Sequence, residues 1–343
     1  MPGTLAPVGT YSLVSDLPVT IESCELQGLD QAVSAEFLRR TTVIRLRGGG
    51  EEGVGEDVTY DSESHANFQA AGPPVSLVGR HTIASFSALL DETEDYRRWG
   101  FESGALDLAL RQRGLPLYEV LGRTPQPVRF VVSPRLGVED KTERLRRLSG
   151  MRFKLDPTSD WDEAFVAALR ELGTVDVVDF KEAYTWREAE RTASAGLYGL
   201  VVESLPAALI EDPDLAAPDK AAVLENHHER ITWDAVIHSV ADVDALRFPP
   251  RTLNCKPSRF GSIRRLLDFY DVCADRGISL YGGGQFELGP GRGQIQYLAS
   301  LFHPDAPNDV APSEYNLPQP PSTLPGSSLE PAPDTIGFQW LRR

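Results

Sequence analysis

The sequence predicts an α/β fold in which short buried strands alternate with amphipathic helices, arranged either as a closed barrel or as an open parallel sheet. From about residue 128 onward, short apolar runs recur, and a helical pattern separates each from the next. A polar residue ends each run, and successive ones stand 22 to 32 positions apart, which leaves room for one helix and its loops: Lys154, Asp179, Glu211, Asp234 and Lys256. Right-handed crossovers between such strands build a barrel or a sheet.

The last of these units shows the pattern most clearly. Thr252 to Cys255 is a short strand with Lys256 at its carboxyl end. The following helix has an apolar stripe at i, i+3, i+4 and i+7, formed by Ile263, Leu266, Leu267 and Tyr270. Gly277 is placed to end that helix in a left-handed cap. The unit therefore reads as strand, lysine, helix.

Residues 1–127 have a different pattern and predict a separate α+β domain. Thr42 to Arg47 alternates as a strand, the glycines at 48 to 50 turn the chain, and Gly53 to Tyr60 returns as a second strand. The polar stretch from Asp61 to Pro74 is expected to be a mobile loop.

Two further segments complete the predicted organisation. Residues 128–303 hold the strand and helix repeats. Residues 304–343 are rich in proline without helical periodicity, so we expect an extended segment that packs back on the first domain.

Composition narrows the class of partner. The 343 residues include 34 Lys and Arg against 50 Asp and Glu, which gives a net charge of −16. Nucleic acids and anionic membranes bind surfaces with excess positive charge, so this composition argues against both as partners. A small substrate is expected instead. Three scattered cysteines and an amino terminus without a basic or apolar signal segment favour a reducing, cytoplasmic location, and no apolar run is long enough to span a membrane.

The polar residues at the strand ends offer three carboxylates between two lysines. Oxygen ligands from Asp179, Glu211 and Asp234 suit Mg²⁺, which leaves coordination positions for water or a substrate carboxylate. Lys154 and Lys256 on either side can carry protons if burial and a nearby cation lower their pKa values. A single such residue is usually a helix cap or a surface group, so the hypothesis depends on all five together.

These residues resemble the enolase superfamily, and the lysine on two separate strands is similar to its muconate-lactonizing (muconate cycloisomerase) subgroup. The local matches are Arg152-Phe-Lys154 for Lys-x-Lys, Asp179-Phe-Lys181 for Asp-x-Asn, Ile210-Glu-Asp-Pro213 for Ile-Glu-x-Pro, and Asn254-Cys-Lys-Pro-Ser-Arg-Phe-Gly261 for the lysine strand. Thr42 to Glu56 and Trp99 to Gly122 also resemble the capping domain of that superfamily, so the resemblance covers nearly the whole chain.

The resemblance implies a modified TIM-type (β/α) barrel with an N-terminal α+β capping domain, whose specificity loops are near Gly28 to Arg39 and Asp61 to Pro74. It implies Mg²⁺ bound by the three carboxylates, with Lys154 and Lys256 as the catalytic acid and base. Such enzymes remove the α-proton of a carboxylate substrate to give an enediolate intermediate. Members commonly assemble, so a homo-oligomer is also implied.

Departures from the family pattern bear on the substrate. Arg152 keeps a positive charge but cannot exchange protons, which suits it to carboxylate binding. Lys181 replaces the asparagine and adds a cation near the metal. The next run, Ile278 to Gly282, corresponds to the seventh barrel strand of the family. In the glycine-rich stretch after this strand, Gln285 and Glu287 are predicted to contact the substrate.

Two lysines without a histidine on the seventh strand favour an isomerase, either a racemase or epimerase or a cycloisomerase. The alternatives are dehydration of the o-succinylbenzoate synthase type, dehydration of acid sugars, which would commonly use that histidine, and a non-catalytic barrel that binds a carboxylate.

Overall fold

The computed structural model describes residues 9–33, 37–134, 136, 141–181, 193–317, 319–332 and 336–340. Eleven strands are named within these residues: β1 (Pro18–Ile21), β2 (Ser23–Ala32), β3 (Leu38–Gly48), β4 (Glu51–Asp57), β5 (Gly79–Thr82), β6 (Phe153–Leu155), β7 (Val175–Asp179), β8 (Leu209–Glu211), β9 (Ile231–Thr232), β10 (Thr252–Cys255) and β11 (Ser279–Gly282). The strands predicted around Lys154, Asp179, Glu211, Asp234 and Lys256 are all present, and most of their residues are buried, as in parallel strands that are covered on both faces.

The described residues also form eleven α-helices: α1 (Ser62–Ala71), α2 (Ile83–Ala88), α3 (Asp95–Arg113), α4 (Leu117–Val120), α5 (Lys141–Arg147), α6 (Glu163–Leu172), α7 (Ala195–Ser204), α8 (Pro218–Val223), α9 (Val240–Asp244), α10 (Ile263–Asp275) and α11 (Pro290–Phe302). Of these described helices, none is both long enough and apolar enough to cross a lipid bilayer. In α10, the predicted stripe is buried and Gly277 follows with φ +66°, as the sequence pattern indicated.

The N-terminal region is built on an antiparallel sheet in the order β2, β3, β4, against which α3 packs. The helix comes unusually close to β4 because both surfaces have glycines at the contact. A Cβ on Gly55 would stand only 2.0 Å from the carbonyl oxygen of Gly100. This close approach fixes the position of β4 against α3. The buried residues Arg39 of β3 and Glu56 of β4 contact the loop after β11.

β1 pairs antiparallel with β5 in a small second sheet. The strands β6 to β11 belong to a closed parallel ring. β6, β7, β8 and β9 pair in that order, and β10 pairs with β11. The amide of Asn254 donates to the carbonyl oxygen of Trp233 at 3.1 Å, which joins β10 to the end of β9. Parallel bridges complete the ring, and they link Gly283 with Asp309, Asn308 with Phe130, and Val132 with Phe153.

This ring confirms the predicted (β/α) barrel fold and gives each strand a place. The segment around residues 130–132 is the first strand and residues 308–309 form the eighth. β6, with Lys154, is therefore the second strand, and β10, followed by Lys256, is the sixth. Strands two and six are four places apart in a ring of eight, so the two lysines approach its centre from opposite sides.

One feature differs from the sequence prediction. The stretch Asp61 to Pro74 is not an irregular loop, since it contains α1, which the Asp61 carboxylate caps by accepting from the amide of Glu63 at 2.9 Å. Only His65 and Phe68 of this helix are buried, too few to give an apolar stripe in the sequence. The domain divisions after residues 127 and 303 stay predictions.

The end of the chain contacts the N-terminal region. The amide of Phe338 donates to Asp107 Oδ1 of α3 at 2.7 Å, and the Phe338 ring packs edge-on against Trp99 with ring centroids 6.4 Å apart. The part of the predicted specificity loop at residues 34–36 lies outside the described residues, while its flanks belong to the β2–β3 hairpin.

Candidate active site

The carboxyl ends of β6, β7 and β8 bring Lys154, Asp179 and Glu211 into direct contact. Lys154 Nζ lies 2.6 Å from Glu211 Oε1 and 3.0 Å from Asp179 Oδ2, and all three side chains are buried. Burial alone would lower the pKa of Lys154, but the charges of Asp179 and Glu211 outweigh it and raise that pKa well above its usual value. This group is the Lys154 cluster.

Glu211 is held by donors on both of its oxygens. Besides Lys154, Asn254 Nδ2 donates to Oε1 at 3.0 Å, and the Tyr281 hydroxyl donates to Oε2 at 2.6 Å. Burial and the neighbouring charge of Asp179 nevertheless raise the pKa of Glu211 to about 8. The carboxylate is thus fixed in position while remaining costly to ionise, which is the condition of a group that gains from a nearby cation.

A second group surrounds Asp234, which follows β9. Lys256 Nζ lies 2.8 Å from Asp234 Oδ2, and Arg259 Nη1 donates to Oδ1 at 2.6 Å. Burial would raise the pKa of Asp234, but Arg259 and Lys256 hold it well below its usual range. Burial would likewise lower the pKa of Lys256, which Asp234 raises instead. This group is the Lys256 cluster.

Asp212 joins the two clusters. Its Oδ1 accepts from the amide of Asp234 and its Oδ2 from the amide of Ala235, both at 2.9 Å. The residue has φ +44°, a left-handed conformation that is uncommon outside glycine, asparagine and aspartate. Burial and the charges of Asp234 and Asp179 raise the pKa of Asp212 to about 7.

The carboxylates fit a hard divalent cation. Asp179, Glu211 and Asp212 each offer an oxygen, and these oxygens all lie within 4.8 Å of one another in a buried site. Three buried, mutually repelling carboxylates are the donor set that a cation such as Mg²⁺ prefers. Asp234, the third ligand predicted from the sequence, faces Lys256 and Arg259 instead, so its role as a ligand stays a prediction.

Two residues predicted to add positive charge have carboxylate partners of their own. Arg152 Nε lies 2.7 Å from Asp176 Oδ2, which Arg129 also contacts at 2.6 Å, so the structure does not bring Arg152 to either cluster. Its role in substrate binding stays a prediction. Lys181 forms an ion pair with Asp156, and its Nζ lies 4.0 Å from Asp179 Oδ2, at the edge of the Lys154 cluster.

The predicted substrate residues Gln285 and Glu287 lie in the loop after β11. With its amide in the orientation that satisfies its neighbours, Gln285 accepts from Arg259 Nε at 2.9 Å, which connects it to the Lys256 cluster. Glu287 Oε1 accepts from the backbone amide of Gln285 at 2.6 Å, and Oε2 lies 3.1 Å from Arg292 Nη2. Glu287 thus shapes the loop, and substrate contact by either residue stays a prediction.

Comparison with known proteins identifies the family. Residues 12–120 match the model described as the N-terminal domain of a domain of unknown function (DUF8230), and residues 124–317 match the model of its C-terminal domain. The second match alone covers more than half of the chain. The chain belongs to the DUF8230 family.

Proteins similar to this DUF8230 chain include enzymes with defined activities. An N-succinylamino acid racemase from Amycolatopsis sp is 28% identical over 340 residues, which cover 88% of this chain and 90% of that protein. An o-succinylbenzoate synthase from Geobacillus kaustophilus is 26% identical over 225 residues, 62% of this chain and 58% of that protein. The muconate cycloisomerase structure from Pseudomonas fluorescens superposes with a TM-score of 0.70 at 21% identity, covering 94% of this chain and 95% of that one.

These similarities confirm two predictions for the DUF8230 chain. The fold is that of the enolase superfamily, with muconate cycloisomerase as a structural neighbour. The relatives are enzymes of that superfamily, which bears out the prediction of an enzyme rather than a binding module.

Sequence reasoning missed four residues of the two clusters. Asp212 occupies the variable position of Ile-Glu-x-Pro. Arg259 lies three residues after Lys256, within the motif from Asn254 to Gly261. Asn254 shares the inward face of β10 with Lys256 and could have been found from strand alternation. Tyr281 looks like an ordinary core tyrosine in sequence, and only its hydroxyl contact with Glu211 sets it apart.

Proposed function

We propose that this DUF8230 chain is a Mg²⁺-dependent isomerase that removes the α-proton of an N-acylated amino acid and returns a proton on the opposite face. One observation carries the proposal: Lys154 lies on strand two of the ring and Lys256 directly follows strand six, and each is buried against a carboxylate in its own cluster. Two lysines on opposite sides of one centre suit proton removal and return at a single carbon.

The metal would be held by Asp179 and Glu211 together with Asp234 or Asp212. When bound, the cation would supply positive charge to stabilise the negative charge that develops on the substrate carboxylate as the α-proton leaves. The chain's own residues prepare this arrangement. Asn254 and Tyr281 hold the two oxygens of Glu211, and Asp212 holds the backbone at Asp234.

The lysines would hold and move the proton. The carboxylates that contact Lys154 raise its pKa and keep it an ammonium, the form that donates a proton. If a cation takes up Asp179 and Glu211, those carboxylates no longer hold the proton on Lys154, and its pKa falls toward that of a base. Lys256 keeps Asp234 and Arg259 as neighbours, so the two lysines start from different protonation equilibria.

The substrate class follows from the relatives and from charge. The Amycolatopsis relative is named for racemisation of N-succinylamino acids, which have two carboxylates. Lys181, at the edge of the Lys154 cluster, replaces a neutral asparagine and favours a second anionic group. Dehydration of the o-succinylbenzoate synthase type is the second candidate, favoured by the Geobacillus relative, because the same lysine pair would serve it.

The test is proton exchange in deuterated water. Purified protein with Mg²⁺ is incubated with L- or D-N-succinylphenylalanine, and deuterium incorporation and optical rotation are followed. Racemisation with exchange at the α-carbon supports the proposal, with Lys256→Ala and Lys154→Ala as reference variants that should not racemise the substrate. Exchange confined to sugar acids and ending in loss of water would replace the isomerase with a dehydratase.

Location and assembly belong to the same proposal. Cys24, Cys255 and Cys273 are all free thiols, which supports a reducing, cytoplasmic setting. The homo-oligomer that the resemblance implies is tested by light scattering during size-exclusion chromatography.

A further inference from the structure

The loop after the seventh barrel strand is anchored from outside the barrel. This glycine loop, residues 283–289, contains Gln285 and Phe286, whose backbone carbonyl oxygens both accept hydrogen bonds from Arg39 of β3. Arg39 Nη2 donates to the Gln285 carbonyl at 2.8 Å, and Nε donates to the Phe286 carbonyl at 3.1 Å. The arginine is completely buried, so water does not compete for these bonds.

The same guanidinium is fixed on its own domain. Nη1 donates to the Thr59 carbonyl at 2.6 Å and Nη2 to the Val58 carbonyl at 2.7 Å, while the Tyr60 ring covers the group at 4.5 Å. A guanidinium presents its donors in one rigid plane. Arg39 therefore holds carbonyl groups of the N-terminal region and of the glycine loop in a fixed relation to each other.

The loop needs such an anchor because its backbone is strained. Phe286 has φ +57°, a left-handed conformation that a bulky side chain rarely adopts unless the surroundings impose it. Glu56 of β4 supplies a second anchor of opposite charge, accepting from the amides of Leu288 at 2.8 Å and Gly291 at 2.9 Å.

The loop in turn contacts the Lys256 cluster. A Cβ on Gly283 would stand 2.9 Å from Lys256 Cε and 2.8 Å from Asn254 Oδ1, so the bare backbone lies directly against the lysine side chain. Movement of this backbone changes the space that the lysine occupies. The three atoms nearest to that Cβ position belong to Asn254 and Lys256.

We propose that Arg39 and Glu56 are positioning residues for Lys256, acting through the backbone of the glycine loop. The role assigned to Lys256 rests on the proposed function, but the anchoring of the loop does not. Because the loop lies against one lysine, loss of an anchor should disturb the proton transfer of Lys256 more than that of Lys154.

The experiment compares Arg39→Met with Arg40→Met in the full-length, Mg²⁺-loaded protein. Arg40 is the adjacent residue, and its guanidinium pairs at the surface with Asp30. Amide hydrogen exchange of the peptide spanning residues 283–289 should accelerate by about tenfold in Arg39→Met, since two hydrogen bonds to a charged group are lost, and should not change in Arg40→Met. Unchanged exchange in a folded Arg39→Met variant overturns the anchoring.

The link to Lys256 has two readouts. Deuterium incorporation into L- and D-N-succinylphenylalanine should slow unequally, with one enantiomer affected by about tenfold more than the other, and Arg39→Lys should recover part of the loss. Equal slowing of both enantiomers overturns the positioning of Lys256. Labelling of Lys256 relative to Lys154 by an acylating reagent, read by peptide mass spectrometry, should also change.

That labelling separates failure of this proposal from failure of the proposed function. If the wild-type protein exchanges the α-proton of neither enantiomer, the proposed function fails. The ratio of Lys256 labelling to Lys154 labelling then still decides whether Arg39 positions Lys256. If Arg39→Met does not fold, Glu56→Gln tests the same loop through its amides, with Glu52→Gln on the same strand as control. Wild-type loop exchange in folded Glu56→Gln overturns the proposal.

Discussion

Replacing Glu211 with glutamine should separate metal binding from folding. Glu211 Oε1 accepts from Lys154 and Asn254, and a glutamine oxygen in the same place keeps both partners. The amide nitrogen then faces Tyr281, whose hydroxyl can accept as well as donate. Because the pKa of Glu211 is raised to about 8, the metal-free site at neutral pH already favours an uncharged group there. The metal-free variant should therefore melt at or above the wild-type temperature.

Metal binding should respond in the opposite direction. Loss of one direct carboxylate ligand should weaken Mg²⁺ binding by at least about 100-fold, since even outer partners of ligands contribute about 10- to 100-fold. At a Mg²⁺ concentration 100 times the wild-type Kd, the wild type gains about 2.7 kcal/mol of stability, whereas the variant gains only about 0.4 kcal/mol.

Calorimetric titration and thermal melting with and without Mg²⁺ measure both quantities. Glu203→Gln is the control, because Glu203 is exposed on α7. A folded Glu211→Gln variant with unchanged Mg²⁺ affinity would refute the assignment of Glu211 as a ligand.

Three further predictions use other residues. Lys154→Ala and Lys256→Ala should each lower the rate of racemisation by about 1,000-fold. In deuterated water, each variant should fail to exchange the α-proton of one of the two enantiomers. Full activity in both variants would contradict the acid/base pair. Lys181→Asn should raise KM for N-succinylphenylalanine, which has a second carboxylate, by about fivefold. KM for N-acetylphenylalanine, which lacks that carboxylate, should stay nearly unchanged. Equal changes in both KM values would argue against recognition of a second anionic group. Burial lowers the pKa of His303 from 6.5 to about 4, so the folded protein loses stability as the pH falls from 6.5 to 4. In His303→Gln, the free energy of unfolding measured with denaturant should therefore change by about 3 kcal/mol less over this pH range than in the wild type. An unchanged pH dependence would contradict this prediction.

The barrel strands could be predicted because their signal is local. Each of β6, β7 and β8 is an apolar run that ends near a polar residue, and burial of both faces leaves little ambiguity. α1 could not be predicted in the same way. It buries only His65 and Phe68, so the apolar periodicity that marks other helices is absent.

The residues of the site also differ in whether a local sequence pattern predicts them. Lys154, Asp179 and Glu211 end neighbouring strands, so their meeting follows from strand order alone. The anchor at Arg39 depends on contacts across more than 240 positions of sequence, and no local pattern distinguishes it from its half-buried neighbour Arg40. Sequence patterns therefore identify the groups that meet at the strand ends, while the residues that hold them in place emerge only from tertiary packing.

The charges of the two clusters explain why a cation and a carboxylate substrate belong together here. With all four carboxylates ionised, as a bound cation would favour, four buried negative charges meet three buried positive charges, which leaves one negative charge in excess: Asp179, Glu211, Asp212 and Asp234 against Lys154, Lys256 and Arg259. Lys181, at the edge of the Lys154 cluster, and its partner Asp156 are not included in this sum. Adding one divalent cation converts the excess to a single positive charge, which matches the carboxylate of one substrate molecule. If Asp212, whose pKa is raised to about 7, took up a proton, the site would become more positive and better suited to a dianion.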